Sequence, residues 1–416
     1  MIKQKIIYLS LTLSIILLSS INASFSQNQQ NADISVKLGI DILVEQELGL
    51  IENKNIALFT NQSGVNFQGI PTAEILSNEP NVNLIKILVP EHGYYTTIPA
   101  GEPVENDSIF NVPITSLYGP LKIPNRRILE GIDAVVVDIQ DIGVRSYTYI
   151  SSLLYLMQGC ANTNVEVIVL DRPNPLGGLV VDGNTPEKEF RSFVSLVPVS
   201  YIHGCTIGEL ALMINSEKWT ENKNQCNLSV IKMQGWERWM SWEDTKLMWI
   251  PTSPHVPTSN SVRGIATVGT LGELGLLSVG IGTTSPFGYL GSPYINLDSI
   301  TTEYEGLRLQ STLYRPFYGM YNGKDVNGFF LKFNLSNELK PYSTGLVLLN
   351  EIVKKNPELL DTNSLKSNSR SMFYKVTGTD KILKAIESKL PNELILSLAN
   401  DGLIEFLKLR DKYLIY

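Results

Sequence analysis

Ala134-Val-Val-Val-Asp-Ile-Gln-Asp-Ile-Gly-Val-Arg-Ser-Tyr-Thr-Tyr149 is the stretch on which the fold turns. It opens with four apolar residues that do not alternate with polar ones, and it breaks off abruptly at Asp138. From Tyr149 to Cys160, Leu153, Leu154, Leu156, Met157 and Cys160 recur at helical spacing. A short, wholly apolar run suits a strand buried on both faces, and such strands belong to parallel sheets covered by helices. Three more runs of this kind lie outward from it: Ile56–Phe59, Leu84–Val89 and Val165–Leu170, with a helix-like stretch at Pro71–Leu76. Buried strands that alternate with helices predict an α/β fold built on a parallel sheet.

The chain has 416 residues, of which 43% are hydrophobic and 18% charged. That composition excludes a disordered or collagen-like chain and a polytopic membrane protein, and the length predicts two domains. Lys and Arg number 34 against 41 Asp and Glu, a net charge of -7. An acidic chain without a Lys/Arg cluster offers no field for a phosphate backbone, so no nucleic-acid partner is expected. Residues 1–26 read as a secretory signal: Lys3 and Lys5, then an apolar run from Ile6 to Ile21, then small Ala23, Ser24 and Ser26. Export to the periplasm or the exterior is expected, with no stable membrane span after cleavage.

The Pro/Ser/Thr/Asn-rich stretch 251–260 reads as a domain connection or an ordered loop at a site. Beyond it come a Gly-rich segment (269–291), strands around 328–334, and helices near 344–355, 379–389 and 392–408. Cys160, Cys205 and Cys226 form no CxxC motif; export permits a Cys205–Cys226 disulfide without implying it.

Ligands of open parallel sheets bind beyond the carboxyl ends of the strands. All four apolar runs end in polar clusters: Asn61-Gln-Ser63; Pro90-Glu-His-Gly93; Asp138, Gln140 and Asp141 with Arg145 and Tyr147; and Asp171-Arg-Pro-Asn174. Carboxylates, amides and aromatic rings on one rim suit a polyhydroxylated ligand. Cleavage of a glycosidic bond needs an acid for the leaving oxygen, and a second carboxylate or the substrate's acetamido group for the oxocarbenium-like carbon. Glu91 is the acid candidate, because partial burial at a strand end favours its protonated form. The alternative is a helix cap or an Arg partner. Asp138, Gln140, Asp141, Arg145, Tyr147, Asp171, Arg172 and Asn174 are expected to line the pocket, with His92 and His203 nearby.

Other chemistries have weaker support. His92, His203 and His255 form no HExxH pair. An Asp138/Asp141/Asp171 cation site competes with pairing to Arg145 and Arg172. No GxGxxG follows the first strand, and no P-loop or GxSxG elbow is present. No cofactor and no metal are therefore expected. Trp236, Trp239, Trp242 and Trp249 suit core packing better than sugar stacking. A non-catalytic glycan binder and a metal-assisted hydrolase stay open as alternatives.

Several of these segments resemble the exo-β-N-acetylmuramidase family, the NamZ-type peptidoglycan hexosaminidases. The resemblance is carried by Pro90-Glu-His-Gly93 with Ala100-Gly-Glu102, by Pro113-Ile-Thr-Ser-Leu-Tyr-Gly119, and by the run from Asp138 to Tyr149. Further matches are Asp171-Arg-Pro-Asn-Pro-Leu-Gly-Gly178, His203-Gly-Cys-Thr-Ile-Gly-Glu-Leu210, Gly235-Trp236, Ser253-Pro-His-Val-Pro257, Arg315-Pro-Phe317 and Gly378-Thr-Asp380. It covers nearly all of residues 36–416. It implies a Rossmann-like parallel-sheet domain (35–255) followed by a smaller C-terminal α/β domain (256–416) that closes a cleft. It also implies release of terminal N-acetylmuramic acid from peptidoglycan fragments or muropeptides, with Glu91 as the catalytic residue. One run departs from the family. Its usual Glu-Gly-Thr-Asn-Leu-Ser-Glu-Gly-Arg-Gly-Thr stands here as Glu273-Leu-Gly-Leu-Leu-Ser-Val-Gly-Ile-Gly-Thr283. Leu276, Val279 and Ile281 thus occupy Asn, Glu and Arg positions, which is expected to alter specificity.

Overall fold

The computed structural model describes residues 36–161, 163–334, 338–360 and 366–416; the signal expected at 1–26 lies outside them. The first sheet contains β1 (Asn55–Thr60), β2 (Asn83–Val89), β3 (Ser108–Ile109), β4 (Val112–Ser116), β5 (Ala134–Asp138), β6 (Glu166–Leu170) and β7 (Leu228–Ile231). Its strand order is β3-β4-β2-β1-β5-β6-β7. Every pairing is parallel except that of β3 with β4. The chain builds outward from β1 to β2 and β4 on one side, then to β5, β6 and β7 on the other. The order therefore reverses beside β1, which opens a crevice at the carboxyl ends of the strands there.

The non-alternating runs have the expected cause. Ala134 and Val136 of β5 join one apolar cluster, while Val135 and Val137 join another. The same division separates Ile168 and Leu170 of β6 from Val167 and Val169. Each strand is thus buried on both faces, and each fully buried Val, Ile or Leu side chain contributes about 1.5–3 kcal/mol.

The helices are α1 (Gly39–Gln46), α2 (Thr72–Asn78), α3 (Tyr149–Cys160), α4 (Ile207–Ser216), α5 (Ser259–Gly272), α6 (Pro341–Lys355), α7 (Ser367–Thr377), α8 (Lys381–Glu387), α9 (Asn392–Ala399) and α10 (Leu403–Arg410). Buried residues of α1 and α2 cover one face of the first sheet, and those of α3 and α4 cover the other. The helical run expected at 392–408 is two helices. Gly402, between them, has φ +76, and a Cβ there would meet Thr185 Oγ1 at 2.3 Å. A second, smaller antiparallel sheet has the order β8-β11-β10-β9, formed by Tyr289–Ser292, Val326–Phe333, Leu307–Tyr314 and Glu303–Tyr304. Close approach of α5 to α6 requires Gly345, where a Cβ would lie 1.8 Å from the Thr267 carbonyl oxygen.

Polar contacts join the two sheet regions. Asp182 accepts hydrogen bonds from the Ser343 N–H (2.9 Å) and hydroxyl (2.5 Å). Arg410 donates to the Gly204 carbonyl (2.8 Å) and to that of Gly178. The Tyr342 hydroxyl donates to Asn184 Oδ1 (2.8 Å), and the Tyr342 ring stacks on Tyr201 at 4.3 Å. Among the described residues, no helix is long and apolar enough to cross a membrane.

Candidate active site

Glu91 stands one residue beyond β2, after Pro90, and begins a tight turn. Its neighbours His92 and Gly93 both adopt left-handed backbone, with φ of 73 and 72. For His92 this is an uncommon conformation, of the kind that clusters at functional sites. The turn is held by His92 Nδ1, which donates to the Ile98 carbonyl at 2.7 Å and leaves Nε2 as the other ring nitrogen.

Both Glu91 oxygens are fixed. The Gly101 N–H donates to Oε1 (2.9 Å), and the Thr148 hydroxyl donates to Oε2 (2.6 Å). The Tyr118 hydroxyl is hydrogen-bonded to the same carboxylate; burial first, then Glu91, pushes the phenol pKa up and keeps it a neutral donor. Glu91 is only 5% exposed. The donors come from three places: the loop after β2, the end of β4, and the turn between β5 and α3.

Glu91 lines a cleft of about 550 Å³, within the range of small-molecule sites. His92, Tyr118, Ser146, Tyr147 and Thr148 line it from the first sheet. Ser253 and His255 come from the connecting loop, and Ile265, Gly269 and Gly272 from α5. Glu273, Leu277, Ser278, Val279 and Ile281 follow that helix, and Met372 and Val376 of α7 complete the wall. No lysine or arginine lines the cleft among the described residues. Burial, and then the neighbouring His92, lowers the pKa of His255. Tyr147 is anchored by donating to Thr252 Oγ1 at 2.8 Å.

Of the side chains expected at the pocket, Glu91, His92 and Tyr147 line it. The others are not among its lining residues, and their partners explain why. Asp138 pairs with Arg172 (2.7 Å) and accepts from the Thr72 hydroxyl. Arg172 also donates to the Val65 carbonyl (2.9 Å) and to Gln140 Oε1 (3.2 Å). Gln140 Nε2 donates to the carbonyls of Asp141 (2.7 Å) and Pro173 (2.8 Å). Asp141 accepts from the Gly143 N–H (2.8 Å) and stands 3.3 Å from His203 Nε2. His203 Nδ1 accepts from the Cys205 N–H (3.1 Å), which puts the ring proton on the nitrogen facing Asp141.

Asp171 accepts from the Gly208 N–H (2.7 Å), the Thr206 hydroxyl (2.7 Å) and the Tyr416 hydroxyl (2.8 Å); burial outweighs these and raises its pKa to about 6. Asn174 accepts from the Leu176 N–H (2.9 Å) and donates to the Cys205 carbonyl (2.9 Å). Arg145 is fully buried, with carbonyl partners only: Asn184, Val199 (2.9 Å), Val376 (3.2 Å) and Thr377 (2.8 Å). Most of these buried polar atoms are paired with one another or with the backbone, while among the described residues Asp141 Oδ1, Arg145 Nε and His203 Nε2 have no hydrogen-bond partner.

Asp138, Asp141 and Asp171 thus face three different sets of partners. Among the described residues no group of three or more His, Cys, Asp or Glu side chains is arranged to hold a metal ion. The three cysteines are buried and unbonded to one another. None of Trp236, Trp239, Trp242 and Trp249 lines the cleft. Trp236 packs on Tyr416 and Trp242 on Trp249. The sequence alone does not single out Tyr118 and Thr148, although both lie inside motifs quoted above. Glu273 heads the divergent run and has no role assigned from the sequence either. Val279 and Ile281 do face the cleft.

The family model described as exo-beta-N-acetylmuramidase NamZ, N-terminal, matches residues 56–260, and its C-terminal counterpart matches 266–416. The chain is 34% identical over 398 residues to the peptidoglycan beta-N-acetylmuramidase NamZ of Bacillus subtilis (strain 168), covering 94% of each. Crystal structures of two DUF1343 family proteins from Bacteroides fragilis NCTC 9343 are similar in fold. One has a TM-score of 0.85 and 35% identity, the other 0.71 and 28%; each match covers 92% of this chain and 99% of the other.

Proposed function

Because the chain belongs to the NamZ family of exo-β-N-acetylmuramidases and is a glycoside hydrolase, we propose that it is exported and removes a terminal N-acetylmuramic acid or related amino sugar from peptidoglycan fragments, with Glu91 as its central catalytic carboxyl group. One observation carries this reading: Glu91 is held by Gly101, Thr148 and Tyr118 in a cleft at the carboxyl edge of the sheet. A carboxyl group so fixed needs no reorganisation as charge develops on a sugar, which is where electrostatic catalysis gains most. His92, Tyr147 and His255 supply hydrogen-bonding groups and ring edges for hydroxyls. The buried set Asp138, Gln140, Asp141, Arg145, Asp171, Arg172, Asn174 and His203 acts through the backbone it holds, beneath the cleft. Export is supported by the basic and apolar pattern of residues 1–26.

The apolar wall sets the specificity. With no cationic side chain lining the cleft, a lactyl carboxylate meets Val279 and Ile281 and a rim that carries Glu91 and Glu273. A matched N-acetylglucosaminide is therefore expected to be hydrolysed at least as well as the N-acetylmuraminide. Ile281→Arg is expected to move the kcat/KM ratio toward the muraminide by about tenfold, the worth of one charge-assisted hydrogen bond. Rates on the matched pair, with and without the substitution, test this. A strong native preference for the muraminide that Ile281→Arg leaves unmoved would show that this wall does not read the carboxylate.

A further inference from the structure

The cleft holds a second carboxyl group. Glu273 follows the last residue of α5 and lines the same cleft as Glu91. Its side chain is open to solvent, yet the protein packed around it desolvates the carboxyl group. Among the described residues its carboxyl group has no hydrogen-bond or ion-pair partner. Three features oppose a negative charge there. The C-terminal end of α5 presents the negative end of the helix dipole. No lysine or arginine lines the cleft, and Glu91 lies in it. Desolvation by the protein around it shifts the pKa of Glu273 upward. Glu91 is in the opposite situation, with a donor on each oxygen. An oxygen already receiving donors is poorly placed to give a proton away. Glu273 has no such neighbour.

The geometry points to Glu273 as the proton donor to the leaving-group oxygen, with Glu91 as the carboxylate that faces the anomeric carbon. This assignment rests on the reading of the chain as an amino-sugar hydrolase, and it moves the proton-donor role expected of Glu91 onto a residue of the divergent run. The glycosidic C–O bond breaks, its electron pair stays with the leaving oxygen, and that oxygen takes the Glu273 proton. Positive charge developing at the anomeric carbon is stabilised by the Glu91 carboxylate. A water then adds its oxygen to that carbon and returns a proton to Glu273. Two carboxyl groups placed in unlike environments within one cleft are the usual basis of such a division of labour. The other titratable groups lining the cleft are His92, Tyr118, Tyr147, Tyr201 and His255.

The test compares the whole chain with Glu273→Gln and Glu91→Gln on two sets of amino-sugar glycosides, one with an activated nitrophenyl leaving group and one with an alkyl or sugar leaving group. Glu273→Gln is expected to lose about 10²–10⁴-fold in kcat on the poor leaving group, and far less on the nitrophenyl glycoside, which departs without a proton. Wild-type kcat on the poor leaving group falls as pH rises through the Glu273 pKa, and the variant lacks that alkaline limb. Glu91→Gln loses activity on both sets. Equal losses on both leaving groups by Glu273→Gln, or none, would overturn the assignment alone. A wild-type chain inactive on every glycoside of both sets would overturn the hydrolase reading, and this assignment with it.

Discussion

Glu91→Gln is expected to lower turnover of an amino-sugar glycoside by about 10²–10⁴-fold, the range by which a positioned carboxyl group assists such chemistry. The substitution keeps the size and shape of the side chain. It gives up both the exchangeable proton and the negative charge, so either catalytic role for Glu91 is lost. The fold is expected to survive, because the amide oxygen can still accept from the Gly101 N–H, which now donates to Oε1 at 2.9 Å. The Thr148 hydroxyl can rotate to accept from the amide nitrogen that takes the place of Oε2. Initial rates and a thermal melt on the same preparation separate the two effects. Near-wild-type turnover in a folded Gln variant would remove Glu91 from the chemistry.

Arg145 is expected to give a large effect of a different kind. Its guanidinium reaches four carbonyls, two from the loops at Asn184 and Val199 and two at the end of α7. It also lies 5.4 Å from the Tyr201 ring, and burial lowers its pKa to about 10, which leaves it cationic at neutral pH. Arg145→Met would leave those carbonyls buried without a donor, and breaking a buried charged contact costs about 3–5 kcal/mol. Arg145→Lys recovers only part of the loss, because one ammonium cannot span the positions that the planar fork reaches. The urea unfolding midpoint should fall in both variants, more steeply for Met. Val376 lines the cleft and bonds Arg145 through its carbonyl, so activity falls along with stability. An unchanged midpoint with a raised KM would instead make Arg145 a ligand-binding residue.

The contrast between Glu91 and Arg145 shows what the sequence could and could not disclose. The four strand cores were legible because burial on both faces forbids polar residues, and the Val/Ile enrichment and abrupt polar ends of a run such as Ala134–Val137 favour a strand over a buried helix. The Tyr149–Cys160 helix was legible for a similar reason, since nearly all of its residues are buried. In the second sheet only the strand around 328–334 was legible; β3, β4 and the other strands there were not, because half-exposed strands such as Leu307–Tyr314 mix polar and apolar residues as loops do. At the site, polar strand ends mark the edge of the sheet at which the cleft opens. They do not say whether a side chain faces the cleft or its neighbour. Asp138 and Arg172 are as polar as Glu91, yet they neutralise each other at 2.7 Å. Glu273 was hidden for the opposite reason: it sits 182 positions after Glu91 in the chain, and only the packing of α5 brings it to the same cleft.

Product analysis tests the central claim most directly. The chain is incubated with defined peptidoglycan fragments that carry a terminal amino sugar, and the released species are identified by mass spectrometry, with Glu91→Gln run in parallel. The expected result is release of one terminal amino sugar per fragment, an otherwise intact remainder, and no release by the Gln variant. Internal cleavage into larger pieces, release by the Gln variant at the wild-type rate, or no release by the wild-type chain would contradict it.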